Sequence, residues 1–185
     1  MENSILYFFS TIPQVFAAII ALVFVFVFFK LQGFDKSLDV VCTDFAGVLG
    51  SNVSQIFSWQ RLGSGSTFMT NYKAKYFSNI SEVMIKVCSE RESDKESNQQ
   101  AVRNLIKLKD KAVHIESDKS TLIKSTKSFC IFSFSLIISS LSVIPFTKCI
   151  ESNYLFLDNL FFLFILLSVF AFIWVYRILS VSLKK

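Results

Sequence analysis

The stretch ILYFFSTIPQVFAAIIALVFVFVFF, residues 5–29, decides the fold class, because it runs for 25 residues without a charged side chain. A helix rising 1.5 Å per residue needs about 20 mostly apolar residues to cross the hydrocarbon core of a bilayer. A cleaved signal peptide would open on a basic segment and carry a shorter apolar run. The chain instead begins Met-Glu-Asn. The stretch therefore reads as a retained membrane anchor.

Outward from this segment the character of the chain reverses and then reverses again. Of 19 Lys and Arg, 15 lie between Lys30 and Lys127, and so do 11 of the 14 acids. Two further apolar runs follow, Ser128–Thr147 and Leu155–Tyr176, the second with Asp158 in its first turn. Charged residues are 18% of the chain, against roughly 25% in soluble domains, so the deficit fits a membrane protein. The 22 Phe suit helices that face lipid.

The charges flanking the runs set an orientation. Lys30 and Lys36 follow the first run, Lys119, Lys124 and Lys127 precede the second, and Arg177, Lys184 and Lys185 follow the third. All three clusters fall on the cytoplasmic side if the N-terminus is outside, and basic residues favour that side. Trp174 and Tyr176 then sit in the inner aromatic belt and Tyr154 in the outer one. The expected fold is an all-α membrane protein with three transmembrane helices, N-out and C-in, in the cell's inner membrane. Its parts are helix 1 at 5–29, a cytoplasmic helical domain at 30–127, helix 2 at 128–147, a short external loop at 148–154, helix 3 at 155–176 and a basic tail at 177–185.

The cytoplasmic domain reads as helical. Phe34, Leu38, Val41, Phe45 and Val48 follow heptad-like spacing, and helix 1 could extend through them with Gly33 as a joint. A break is expected at Arg61–Ser66, a second helix over Met69, Tyr72, Tyr76, Ile80, Val83 and Val87, and a loop at Glu90–Asn98. A third helix is expected over Val102, Leu105, Ile106, Leu108, Val113 and Ile115, with Asp118–Lys127 leading into the second span.

Inside the spans, polar and small residues recur on single faces. Thr11, Gln14, Ala18 and Ala21 share a face of the first span with Tyr7. Ser135, Ser139 and Ser142 share a face of the second with Ser128. Small residues let helices approach closely in lipid, and Gln and Ser can hydrogen-bond across the contact. Packing within one chain, packing between chains and a wetted pore are the three uses of such a seam; three helices alone cannot enclose a channel, so a pore requires an oligomer. Pro13 removes a backbone hydrogen bond and is a candidate joint, as is Gly33.

Chemistry is harder to find. No catalytic constellation surrounds His114, the only histidine, and no enzyme activity or cofactor is expected. Cys42, Cys88, Cys130 and Cys149 contain no C-x-x-C pair, so no metal site is expected. Cys130 and Cys149 lie about 28 Å apart along a helix and cannot pair within a chain; Cys149 is either a free thiol or a partner in a disulfide between chains. Gly63-Ser64-Gly65-Ser66-Thr67 lacks the lysine and the preceding strand of a phosphate loop and reads as a flexible connection. Glu90, Glu92, Asp94 and Glu96 read as a solvated acidic run. Arg103, Lys107 and Lys111 form a basic face that is solvated, lipid-facing or turned to an acidic partner; no aromatic interleaves with it, so direct nucleic-acid binding is not expected.

Ser10-Thr11-Ile12-Pro13-Gln14, with Ala17, Ala18, Ala21 and Phe29-Lys30-Leu31-Gln32, resembles the first span of small bacterial membrane proteins of unknown role. In architecture the chain is similar to small transmembrane effectors of bacterial anti-phage systems, including those paired with retrons. That likeness implies an oligomeric effector, triggered through its cytoplasmic domain by a protein or nucleoprotein partner, that perturbs the lipid bilayer. The alternative expectation is a non-conducting anchor or scaffold that recruits a cytoplasmic partner.

Overall fold

A chain segment in hydrocarbon has no water to bond its amides and carbonyls, and an α-helix satisfies them internally. The computed structural model, which describes residues 2–51, 63–92, 99–146 and 154–183, follows this rule, with no strand among those residues. Its helices are α1 (Glu2–Ser51), α2 (Gly63–Lys73), α3 (Ile80–Glu92), α4 (Gln99–Val143) and α5 (Tyr154–Leu183), with a 3-10 turn at Ile144–Phe146. Parts of α1, α4 and α5 are long and apolar enough to cross a membrane. The chain divides into an apolar unit, within 1–30 and 121–185, and a polar unit, 31–120.

The apolar unit packs on heptad-spaced positions. The buried face of α1 is Phe9, Ile12, Phe16, Ile20, Val23 and Val27. That of α4 is Leu122, Thr126, Phe129, Ser133, Leu136 and Ser140, and that of α5 is Phe164, Ala171 and Ile178. Spacing of three and four residues keeps one stripe facing its neighbours along a gently supercoiled pair. Phe9 is the hub at one end: its ring stacks on Phe161 at 5.7 Å and meets Phe164 edge-on at 5.3 Å. Toward the other end, Phe132 of α4 meets Trp174 of α5 at 5.8 Å.

One hydrogen bond in this unit joins a neighbour's side chain to a gap in the backbone ladder. α1 continues helically through Pro13. Proline has no N–H, so the carbonyl four residues earlier, that of Phe9, loses its helical donor. Ser140 Oγ of α4 donates to that carbonyl at 2.7 Å, and the bond is buried. A neighbouring hydroxyl thus closes the gap that proline opens.

Most of each apolar stretch faces outward. Only 28%, 22% and 17% of the three apolar windows are buried inside the chain. Leu22, Phe29, Ile131, Ile138 and Phe162 are each more than 60% exposed, a surface that water would not tolerate and that hydrocarbon would.

The polar unit is a small helical core of its own. Leu38, Val41, Cys42, Phe45 and Leu49 of α1 face Phe68 of α2, Ile80, Met84, Val87 and Cys88 of α3, and Val102, Leu105 and Ala112 of α4. The Phe45 and Phe68 rings lie 4.7 Å apart. Helix ends in this unit are closed by distant carboxylates. Glu90 near the end of α3 accepts from the Ser64 N–H at 3.2 Å and from its hydroxyl at 2.6 Å. Glu116 of α4 accepts from the Ser81 N–H at 3.3 Å and from its hydroxyl. Each carboxylate satisfies a first-turn amide and lies at the positive end of the helix dipole.

The C-terminus of α2 closes as a Schellman turn, with Tyr76 N–H donating to Asn71 O at 2.9 Å and Lys75 N–H to Tyr72 O at 3.0 Å. Lys75 takes the left-handed conformation (φ 55°) usual for glycine there. Its ammonium pairs with Asp39 of α1 at 2.7 Å and lies 5.5 Å from the Tyr72 ring. Lys119 likewise pairs with Asp35 at 2.7 Å.

Several expected boundaries change. Gly63–Ser66 opens α2 rather than forming a flexible break, because Glu90 closes the helix start. The run from Met69 to Val87 is two helices, since the turn after α2 intervenes. The third polar helix, the lead-in and the second span are one helix, α4. At Val143 it passes into the 3-10 turn Ile144–Phe146, where Pro145 has no N–H for the ladder. Residues 121–127 belong to the apolar unit. Arg61, Asp94, Glu96 and the 148–153 connection, with Cys149, lie outside the described residues.

Two outcomes follow from these bonds. Ser140→Ala lowers the stability of the apolar unit by about 1 kcal/mol, and in a Pro13→Ala background, where residue 13 again donates to Phe9, the same change costs much less; a double-mutant cycle in bicelles reads the coupling. Glu116→Ala costs about 1 kcal/mol and raises hydrogen exchange in the first turn of α3 while that of α1 is unchanged.

Candidate functional site

Gln14, Thr11, Ala18 and Ala21 all lie on the exposed face of α1, opposite the stripe led by Phe9 and Ile12. Ser135, Ser139 and Ser142 are exposed on α4. The seam therefore does not make the helix contacts within the chain; large apolar side chains and two other serines, Ser133 and Ser140, do. The structure does not gather the seam residues into one pocket.

Their polar atoms differ in one respect. Thr11 Oγ1 donates to the Tyr7 carbonyl at 2.7 Å, and Ser142 Oγ to the Ile138 carbonyl at 2.8 Å. Hydroxyls of this kind fold back onto their own helix and tolerate lipid. Gln14 has a carboxamide with two donor hydrogens and an acceptor oxygen, and no described residue bonds to it. It stands about 13 Å along the helix from Ile5, inside a run long and apolar enough to cross a membrane. An amide placed where nothing can bond to it costs roughly 4–8 kcal/mol.

The serines that sequence reading missed are Ser133 and Ser140, both fully buried. Ser140 meets Phe9, whereas the Ser133 hydroxyl finds no partner among the described residues. The one signal for Ser140 was Pro13 itself, which leaves a carbonyl in need of a donor.

The proposed joints are both helical. Pro13 lies in the helical first part of α1, and an added Cβ at Gly33 would meet nothing within 4 Å. Arg103, Lys107 and Lys111 are exposed on α4 and make no ion pair among the described residues. His114 is exposed and lies 3.1 Å from Asp118. No described group of three or more His, Cys, Asp or Glu could hold a metal ion. Glu90 already occupies the start of α2, where a phosphate would otherwise sit.

No family model, curated protein or solved structure matches the chain.

The polar unit holds two buried thiols, Cys42 and Cys88. Burial first, then the nearby Asp39 and Glu116 charges, push the Cys42 thiol up to about 12. Burial chiefly pushes Cys88 up to about 11. Both are neutral at ordinary pH and act as core filler rather than nucleophiles. A thiol that titrates later folded than unfolded favours the folded state below its ordinary value of 9.0. That advantage is lost as pH climbs toward 11 and 12. Iodoacetamide at pH 8 therefore leaves both peptides unmodified in the folded protein, and above pH 9 the unit loosens and both become labelled, as peptide mass spectrometry will read.

Proposed function

We propose that this chain is an inner-membrane effector that works as an oligomer, N-out and C-in, with its polar unit in the cytoplasm as the receiver of the trigger. The observation that carries this reading is Gln14: an exposed carboxamide within an apolar helix, with no partner among the described residues. A second copy offers the nearest remedy, because two carboxamides facing each other satisfy donor and acceptor at once. Thr11, Ala18 and Ala21 flank Gln14 on the same face and keep the surface low enough for close approach. The exposed serines of α4 supply a second polar face for an assembled ring.

In this scheme a protein or nucleoprotein binds the polar unit, whose exposed Arg103, Lys107 and Lys111 suit an acidic surface. The response is a change in how α1 and α4 seams meet between copies, with Pro13 and Gly33 as joints. The bilayer is then perturbed or a polar path opens, in the manner of transmembrane effectors of bacterial anti-phage systems. The second reading, a non-conducting scaffold, draws on the separately folded polar unit, which needs no polar seam to recruit a partner.

Membrane potential and dye entry after induced expression discriminate the two. The expected outcome is depolarisation that Gln14→Leu abolishes at unchanged expression, with Ser139→Leu reducing it. Unchanged leak in Gln14→Leu would remove Gln14 from the mechanism, and an intact potential with the partner bound would favour the scaffold. Gln14→Cys, in a Cys130→Ser, Cys149→Ser background, should cross-link between copies on oxidation, whereas Val23→Cys on the buried stripe should not.

A further inference from the structure

Where the apolar part of α4 begins and that of α5 ends, the two helices leave a cleft of about 290 Å³. Lys124 of α4 and Arg177 of α5 both line it, as do the hydroxyl-bearing Thr121, Ser125 and Ser128 and the ring of Trp174. We propose that this cleft binds the phosphate of an anionic phospholipid headgroup. The assignment rests on α4 and α5 crossing a bilayer, and adds to that reading a specific lipid site.

The chemistry is that of a phosphate receptor. Thr121, Ser125 and Ser128 recur at i, i+4 and i+7, so they lie along one face of α4. Lys124 contributes a point charge and Arg177 a planar fork of donors matched to phosphate oxygens. Neither cation forms an ion pair with a described residue. No carboxylate is among the residues lining the cleft, so no negative side chain there would pair with the ammonium of a zwitterionic headgroup, while two cations favour a net negative one.

Location selects lipid over a free anion. The cleft sits at the junction between charge and hydrocarbon: from Ser128 onward α4 carries no charge before its end, and Arg177 directly follows the uncharged run of α5. On the apolar side, both helices expose large side chains, such as Ile131 and Phe170, against which acyl chains can lie. Trp174 belongs to the residue type that settles at headgroup depth. Basic clefts between spanning helices are recurrent headgroup sites.

Trp174 also supplies the probe. Trp59 is the other tryptophan, so a Trp59→Phe protein reports from the cleft alone. Reconstituted into vesicles with lipids brominated near the headgroup, this protein should be quenched far more by phosphatidylglycerol than by phosphatidylcholine. Lys124→Gln with Arg177→Gln should weaken the preference about thirtyfold, roughly fivefold per cation removed. Lys73→Gln with Lys86→Gln, the same charge change elsewhere, should leave it intact, and Lys124→Arg should retain it. Equal quenching by both lipids, or a preference that survives loss of both cations, would overturn the proposal. So would displacement by millimolar inorganic phosphate, which would assign the cleft to a soluble anion. Carbonate extraction tests the underlying reading separately: release of the chain from membranes would sink both, whereas retention without lipid preference sinks only this site.

Discussion

The carbonyl of Phe9 is the constraint around which the apolar unit is arranged. Pro13 takes away its helical donor, and in an environment without water that vacancy is costly. Ser140 fills it at 2.7 Å, which fixes the register of α4 against α1 at that end. The register then places Phe129, Ser133 and Leu136 on the same stripe and presents Phe9 to Phe161 and Phe164. A shift of one residue that brought Leu141 into the place of Ser140 would leave the carbonyl bare. A small polar bond thus sets what the larger apolar contacts repeat.

Three apolar segments, a polar insertion between the first and second, and an all-helical fold were legible from the sequence, because runs of uncharged residues and clustered charge are coarse, additive signals. The contact face was not. Thr11, Gln14, Ala18 and Ala21 recur at the same three-and-four spacing as Phe9, Ile12, Phe16, Ile20 and Val23. Periodicity identifies both stripes and cannot choose between them. In water the apolar stripe would win by default; between lipid-exposed helices both stripes are acceptable, and the choice falls to local geometry such as the proline gap. The serines of α4 pose the same ambiguity, since Ser133 and Ser140 alternate with Ser135, Ser139 and Ser142 around one helix.

The polar unit was misread at its joints for a different reason. Glycine and serine at 63–66 are poor helix formers, and local propensity pointed to a loop. The helix forms because Glu90, far along the chain, bonds to Ser64. Lys75 likewise holds a backbone conformation that suits glycine, and its ammonium is tied to Asp39. These are tertiary decisions made by single side chains, invisible to any window of neighbouring residues. Cys42 and Cys88, by contrast, are buried in the core of the polar unit.

The two closing carboxylates also impose an order in time. Ser64 waits for Glu90, and Ser81 waits for Glu116, so each helix start is completed by a residue made later than itself. A ribosome therefore delivers α2 with its first turn open until α3 brings Glu90, and α3 with its own first turn open until α4 brings Glu116. The polar unit cannot be completed piecemeal as it emerges. Its last cap arrives on the same helix that carries Ser140, so one segment both closes the start of α3 and fills the gap at Phe9.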